Sequence, residues 1–331
     1  MNNPIGVMQG RLLPKYQGLY QAHPVGYWQD EFPKAAELGL DCIEFILDYN
    51  DADQNPLMSP EGRKEIQAIC ERTGVKVLSV CADYFMESPL HSENIQKAEQ
   101  SIEVLQKLLK ASEELGVRDI VIPCVDQSSI KNEQVRTIFI EALTTVIPNA
   151  ELSGVNLSLE TDLNAKQFGE LLSSLDSPKV TVNYDIGNSA SSGYNHIDEL
   201  SAYGERISDI HIKDRLLDGG SVKLGTGNAN IPEFLKLIEK FNYSGPYIMQ
   251  AYRDEEGVVV EFASVDTAVV MSPSKASPLC HAAWSVPSII QRANGTALRL
   301  AAEGDEDPIV FTSQVLVGSV ALSDSSRGSS R

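Results

Sequence analysis

The sequence predicts an α/β protein folded as a closed (β/α)8 TIM barrel, and three observations carry that reading. Up to about residue 257, short apolar runs alternate with helix-period segments. Eight such units within roughly 250 residues is the usual size of a closed barrel. Several helical segments stop at a glycine just before the next apolar run, where a left-handed C-terminal cap turns a helix back into a strand.

The expected strands are residues 5–9, 42–46, 75–81, 119–124, 155–160, 180–185, 207–211 and 246–250. Their near-continuous apolar character implies a parallel sheet covered by helices. The clearest helix is 93–115, where Ile95, Ala98, Ile102, Leu105, Leu108, Leu109 and Leu115 recur at three- and four-residue spacings. Gly39, Gly74, Gly116 and Gly154 stand at the helix ends. An open, doubly wound sheet would carry a phosphate-binding glycine cluster after its first strand, and Met8-Gln9-Gly10-Arg11-Leu12 is not one. Residues 1–257 are therefore expected to form one barrel domain. Residues 258–331 break the pattern: they hold one lysine, Lys275, against fourteen in the preceding 257 residues, and they are rich in serine and alanine. They are expected to be an atypical, poorly ordered C-terminal segment in place of the last helix, and no function is assigned to them.

Bulk properties narrow the function. A hydrophobic content of 42% and a charged content of 22% in 331 residues are ordinary for a globular chain. The net charge of −19 argues against nucleic acid as a partner. Five cysteines, odd in number and without a CxxC pair, argue against a disulfide framework and for a reducing, cytoplasmic setting. The N-terminus reads as neither signal peptide nor anchor, and no apolar run nears the roughly 20 residues that span a bilayer, so no membrane partner is expected.

The last four strands end in Glu160, Asp185, His211 and Gln250. Taken singly, a strand-terminal carboxylate is often only a helix N-cap, and a lone histidine is more often structural than a ligand. On a barrel, however, the tips of strands 5 to 8 are neighbours around one rim. Three oxygen donors and one nitrogen suit Mn²⁺, Mg²⁺ or Zn²⁺. Other rim positions are polar too: Gln9 and Arg11 after strand 1, Glu44 on strand 2, Asp83 after strand 3. Lys213 and Arg215 follow His211 and are candidates to hold an anionic oxygen or phosphate. The segment LGTGNAN (224–230), with Gly227 and Asn228, precedes a helix start. It reads either as an anion-binding set of backbone amides or as a plain loop with Asn230 as N-cap.

Such a site suits proton abstraction next to a carbonyl, with Glu160 as the base. An amide neither takes up nor releases a proton at neutral pH. With Gln250 unable to serve, Glu44, Lys213 or a metal-bound water could be a donor on the opposite face, while Arg11, Arg215 and the 225–228 loop would grip the substrate.

GVMQGRL (6–12), CIEFILD (42–48), LSLETD (157–162), VNYDIGNS (182–189), DIHIKDR (209–215) and LGTGNAN (224–230) together resemble the xylose-isomerase-like TIM-barrel superfamily, within it the sugar phosphate isomerase/epimerase group. The resemblance covers residues 1 to about 257. It implies a metal held by Glu160, Asp185 and His211, with Gln250 at the fourth position. The family's epimerases usually carry a second glutamate there, and many ketose epimerases carry a histidine where this chain has Asn188. It further implies a sugar or sugar-phosphate substrate, isomerase or epimerase activity, and a possible homo-oligomer. The alternatives are a non-catalytic or impaired sugar-binding barrel and a dehydratase on the same scaffold. Endonuclease IV-like activity is disfavoured, because of five histidines only His211 falls on an expected strand tip.

Overall fold

The computed structural model describes residues 3–253. Its eight parallel strands are β1 (Ile5–Met8), β2 (Cys42–Ile46), β3 (Lys76–Cys81), β4 (Asp119–Cys124), β5 (Asn156–Thr161), β6 (Val180–Asp185), β7 (Ile207–Ile212) and β8 (Tyr247–Met249). They close in sequence order, the last pairing with the first through Ile5 opposite Tyr247. The barrel expected from the alternation is thus the fold. The expectations for residues 254–257 and for the C-terminal segment 258–331 lie outside the described residues.

Helices α1 (Glu31–Glu37), α2 (Pro60–Thr73), α3 (Ile95–Leu115), α4 (Glu133–Ser153), α5 (Ala165–Leu175), α6 (His196–Tyr203) and α7 (Ile231–Ile238) connect successive strands. Side-chain oxygens of Asn94, Asn132 and Asn164 accept the free N–H groups at the starts of α3, α4 and α5. Gly74, Gly116 and Gly154 take φ of 77°, 72° and 74° at the ends of α2, α3 and α4, a region that a β-carbon disfavours. α3 starts at Ile95, which is 73% exposed; Val104, Leu105, Leu108 and Leu109 form its buried stripe instead. No helix among the described residues is long and apolar enough to cross a membrane.

The apolar core lies mainly between strands and helices, where Phe32, Phe45, Phe139, Phe168 and Phe234 are buried. Inside the barrel the filling is mixed. Met8, Cys42, Ile46, Cys81, Val121 and Ile248 form an apolar cluster, while Ser79, Asp119, Ser158 and Asp209 are fully buried polar groups. Because strand side chains alternate, Asp209 and His211 share one face of β7, and the strand tips carry that face to the rim.

Candidate active site

Each rim side chain is set by the end of its strand. Asp185 closes β6 and caps the single helical turn Ile186–Ser191: its Oδ1 accepts the Asn188 N–H at 2.8 Å. Its Oδ2 stays available, accepting from Lys213 Nζ at 2.8 Å and lying 3.8 Å from His211 Nδ1. The capping role and the site role therefore use different oxygens of one carboxylate.

His211 is fully buried on β7, and its Nε2 lies 2.7 Å from Glu44 Oε1. The second oxygen of Glu44 accepts from Ser79 at 2.5 Å. Nδ1 of His211 has no hydrogen-bond partner in its buried surroundings. A carboxylate on one ring nitrogen and an open second nitrogen is the arrangement found in metal-binding histidines. Glu160 on β5 accepts from Asn188 Nδ2 at 2.5 Å, and Asn188 Oδ1 in turn accepts from Arg215 Nη1 at 2.7 Å. One donor atom each from Glu160, Asp185 and His211 falls within 4.8 Å of the others. The donor set, the distances and the orphaned imidazole nitrogen all fit one divalent cation.

The electrostatics agree. Burial opposes ionisation of Asp185, yet the Lys213 ammonium and then His211 hold its carboxyl well below the usual range. Glu160 is pushed up to about 7, first by burial and then by the Asp185 charge. Burial alone would discharge His211, but Glu44, followed by Asp185 and Glu160, holds its imidazolium well above the ordinary value. Without a metal, the proton on His211 supplies the positive charge these carboxylates require. A cation arriving there displaces it.

The remaining expected residues separate into two groups. Arg11, Glu160, Lys213, Arg215 and Gln250 all line one cavity of about 500 Å³. Glu44, Gly227 and Asn228, expected at the substrate, do not line it. Glu44 is spent on orienting His211. The Gly227 N–H donates to Asp214 Oδ2 at 2.8 Å, as does that of Gly225, and Ala229 N–H donates to Asp214 Oδ1 at 3.0 Å. The 224–230 loop does bind an anion, but the anion is the chain's own Asp214. Asn228 Oδ1 accepts the Leu217 N–H at 2.9 Å. The Asn230 side chain caps no helical N–H, and the residue takes φ of 41°.

Two participants escape a reading of strand tips. Gln21 gathers Arg11, Asp83 and Gln250 around its amide. Asn188 links Glu160 to Arg215. Gln21 belongs to the long loop after β1, which carries no periodicity that could have flagged it. Gln250, expected as the fourth ligand, accepts from Lys213 Nζ through its Oε1 at 3.1 Å.

Comparison with known proteins places the fold. A match to the family described as xylose isomerase-like TIM barrel spans residues 32–266. An L-ribulose-5-phosphate 3-epimerase, UlaE, of Salmonella paratyphi A is 26% identical over 248 residues, covering 72% of this chain and 87% of its own. Among solved structures, a D-tagatose 3-epimerase-like protein superposes with TM-score 0.62 at 18% identity, covering 78% of this chain and 94% of that one. A D-psicose 3-epimerase gives TM-score 0.61 at 15% identity, covering 76% and 86%. The IOLI protein with a bound zinc atom gives 0.62 at 17%, covering 78% and 93%. These structural likenesses establish the barrel, and the named epimerases belong to the isomerase class expected from the sequence. The chain belongs to the xylose isomerase-like TIM barrel family.

Proposed function

We propose that this protein is a divalent-metal-dependent sugar or sugar-phosphate isomerase that epimerises a carbon next to a carbonyl through an enediolate. The observation that carries the proposal is the convergence of Glu160, Asp185 and the unpartnered His211 Nδ1 within 4.8 Å at the strand tips. The zinc in the IOLI protein and the sugar epimerases among the relatives support it.

Glu160, Asp185 and His211 would hold the ion, with Mn²⁺, Mg²⁺ and Zn²⁺ suited to this donor set. A divalent cation supplies polarisation of the substrate carbonyl and charge stabilisation as the neighbouring carbon loses its proton. Glu160 is the base: its carboxylate reaches the cavity in which the substrate would lie. Asn188 fixes its orientation through Nδ2. Lys213 lines the same cavity and carries protons on Nζ, so it returns one to the carbon that Glu160 has stripped. Return to the opposite face gives the epimer. Glu160 then releases its proton to solvent while Lys213 regains one, and the cycle balances. Arg215 and Arg11 hold substrate oxygens at the cavity wall.

The test is incubation of Mn²⁺-loaded protein in D₂O with a panel of free ketoses and ketose phosphates. Deuterium should enter at one carbon beside the carbonyl, with the epimer accumulating. A panel returned without exchange at any carbon, from protein that has bound metal, would remove the isomerase assignment.

A further inference from the structure

Resting on the metal-site reading above, we infer that Lys213 and Gln250 form one unit that takes the place of a fourth metal ligand. The metal site has three protein ligands and a built-in ammonium, and Gln250 serves the lysine rather than the ion. The orientation of the Gln250 amide follows from a chain of donors. Arg11 is buried, pinned by its Nη1 bond to the Tyr20 carbonyl at 3.0 Å, and its Nη2 donates to Gln21 Oε1 at 2.9 Å. A guanidinium only donates, so the Gln21 oxygen must face it. Gln21 Nε2 then points to Asp83 Oδ2, at 2.8 Å. The same Gln21 oxygen lies 2.9 Å from Gln250 Nε2, which must be the donor. That leaves Gln250 Oε1 turned toward Lys213 Nζ, at 3.1 Å. A glutamate at position 250 would set an acceptor against the Gln21 oxygen, which Arg11 prevents from turning away.

The lysine has its own seat. A β-carbon on Gly187 would come within 2.7 Å of Lys213 Cγ and 3.1 Å of its Cβ, so the missing side chain at 187 makes room for the lysine stem. Thus held, the ammonium lies 2.8 Å from Asp185 Oδ2, the oxygen that also faces His211. A fixed positive charge beside the ligand carboxylates weakens binding of a dication by direct repulsion. It also keeps a proton donor beside Gln250, whose amide supplies none at neutral pH.

The test is titration of the purified protein with Mn²⁺ alone, followed by calorimetry at one pH, beside turnover on whichever ketose is active. Lys213→Met should tighten Mn²⁺ on the order of tenfold or more, from loss of one repelling charge, while turnover falls. Gly187→Ala, which displaces the stem without altering charge, should shift the Mn²⁺ dissociation constant in the same direction by less. Gln250→Glu should also tighten Mn²⁺. Unchanged or weaker Mn²⁺ binding in correctly folded Lys213→Met would overturn this inference and leave the metal-site reading intact. No Mn²⁺ uptake by wild type or any variant would overturn both.

Discussion

Two buried aspartates, Asp185 and Asp209, sit at different depths of the same barrel, and they behave in opposite ways. At the rim, Asp185 is held ionised by Lys213 and His211 despite its burial. Deeper on the same face, the His211 charge does not outweigh the burial of Asp209. Burial, and then the Glu44 charge, push its carboxyl well above the usual range. Asp119 beside it on β4 is raised to about 6 by burial and accepts from Asn156 Nδ2 at 2.8 Å. The residue type is the same, but the charge follows the neighbours. Asp185 stays ionised because an ammonium and an imidazolium outweigh its burial, whereas at Asp209 burial and a neighbouring carboxylate win.

The sharpest way to break the contrast is to remove charge at the rim. Glu160→Gln and Asp185→Asn should each lower turnover by about 10³-fold, as losing a base or a key electrostatic group does, with the far-ultraviolet circular dichroism unchanged. Near-wild-type rates in either would dissolve the distinction.

Next in size is the pH dependence of metal affinity. His211 must shed its proton before Nδ1 can bind an ion, so Mn²⁺ affinity should rise with pH across the neutral range, by up to about tenfold per pH unit for each proton released. Calorimetry in buffers of different ionisation enthalpy counts those protons; a pH-independent constant would mean His211 is not a ligand.

A smaller effect concerns stability of the metal-free protein. Glu160, and away from the site Glu31 and Asp48, have carboxyls raised to about 7. Between about pH 4.5 and 7 the folded chain keeps protons that the unfolded chain has lost, so stability falls as pH rises through that window. The raised His211 acts in the same direction: its contribution is complete below about 6.5 and is lost as pH climbs toward its folded value. Thermal melts should show Tm declining from pH 5 to 7.5, with a shallower slope in Glu160→Gln.

The smallest expected change is at the deeper set. A neutral Asp209 carboxyl is nearly isosteric with an amide, so Asp209→Asn should alter stability by less than about 1 kcal/mol and leave Mn²⁺ affinity within a few-fold. A loss as large as that of Asp185→Asn would mean both carboxyls are ionised and the two depths do not differ.

Much of this was legible before any coordinates. The alternation of apolar runs and helix-period segments corresponds to the eight strands and their helices, because strand tips in a barrel are forced onto one rim. The same rule brought Glu160, Asp185 and His211 together. Contacts made by loops were not legible. Gln21 meets Gln250 across 229 positions of sequence, a pairing no local spacing encodes. The glycine-rich loop at 224–230 left two readings open, an anion-binding set of amides or a plain loop, and it is Asp214, close in sequence, that accepts from those amides. Glu44 was expected at the substrate, yet its partner His211 lies 167 positions away and makes it an orienting group.

The most direct measurement is electron paramagnetic resonance of the protein with added Mn²⁺. A single class of bound ion with nitrogen coupling from an imidazole is expected, with loss of that bound signal in the Glu160→Gln, Asp185→Asn double variant. Undiminished binding in the double variant, or a bound ion without nitrogen coupling, would contradict that expectation.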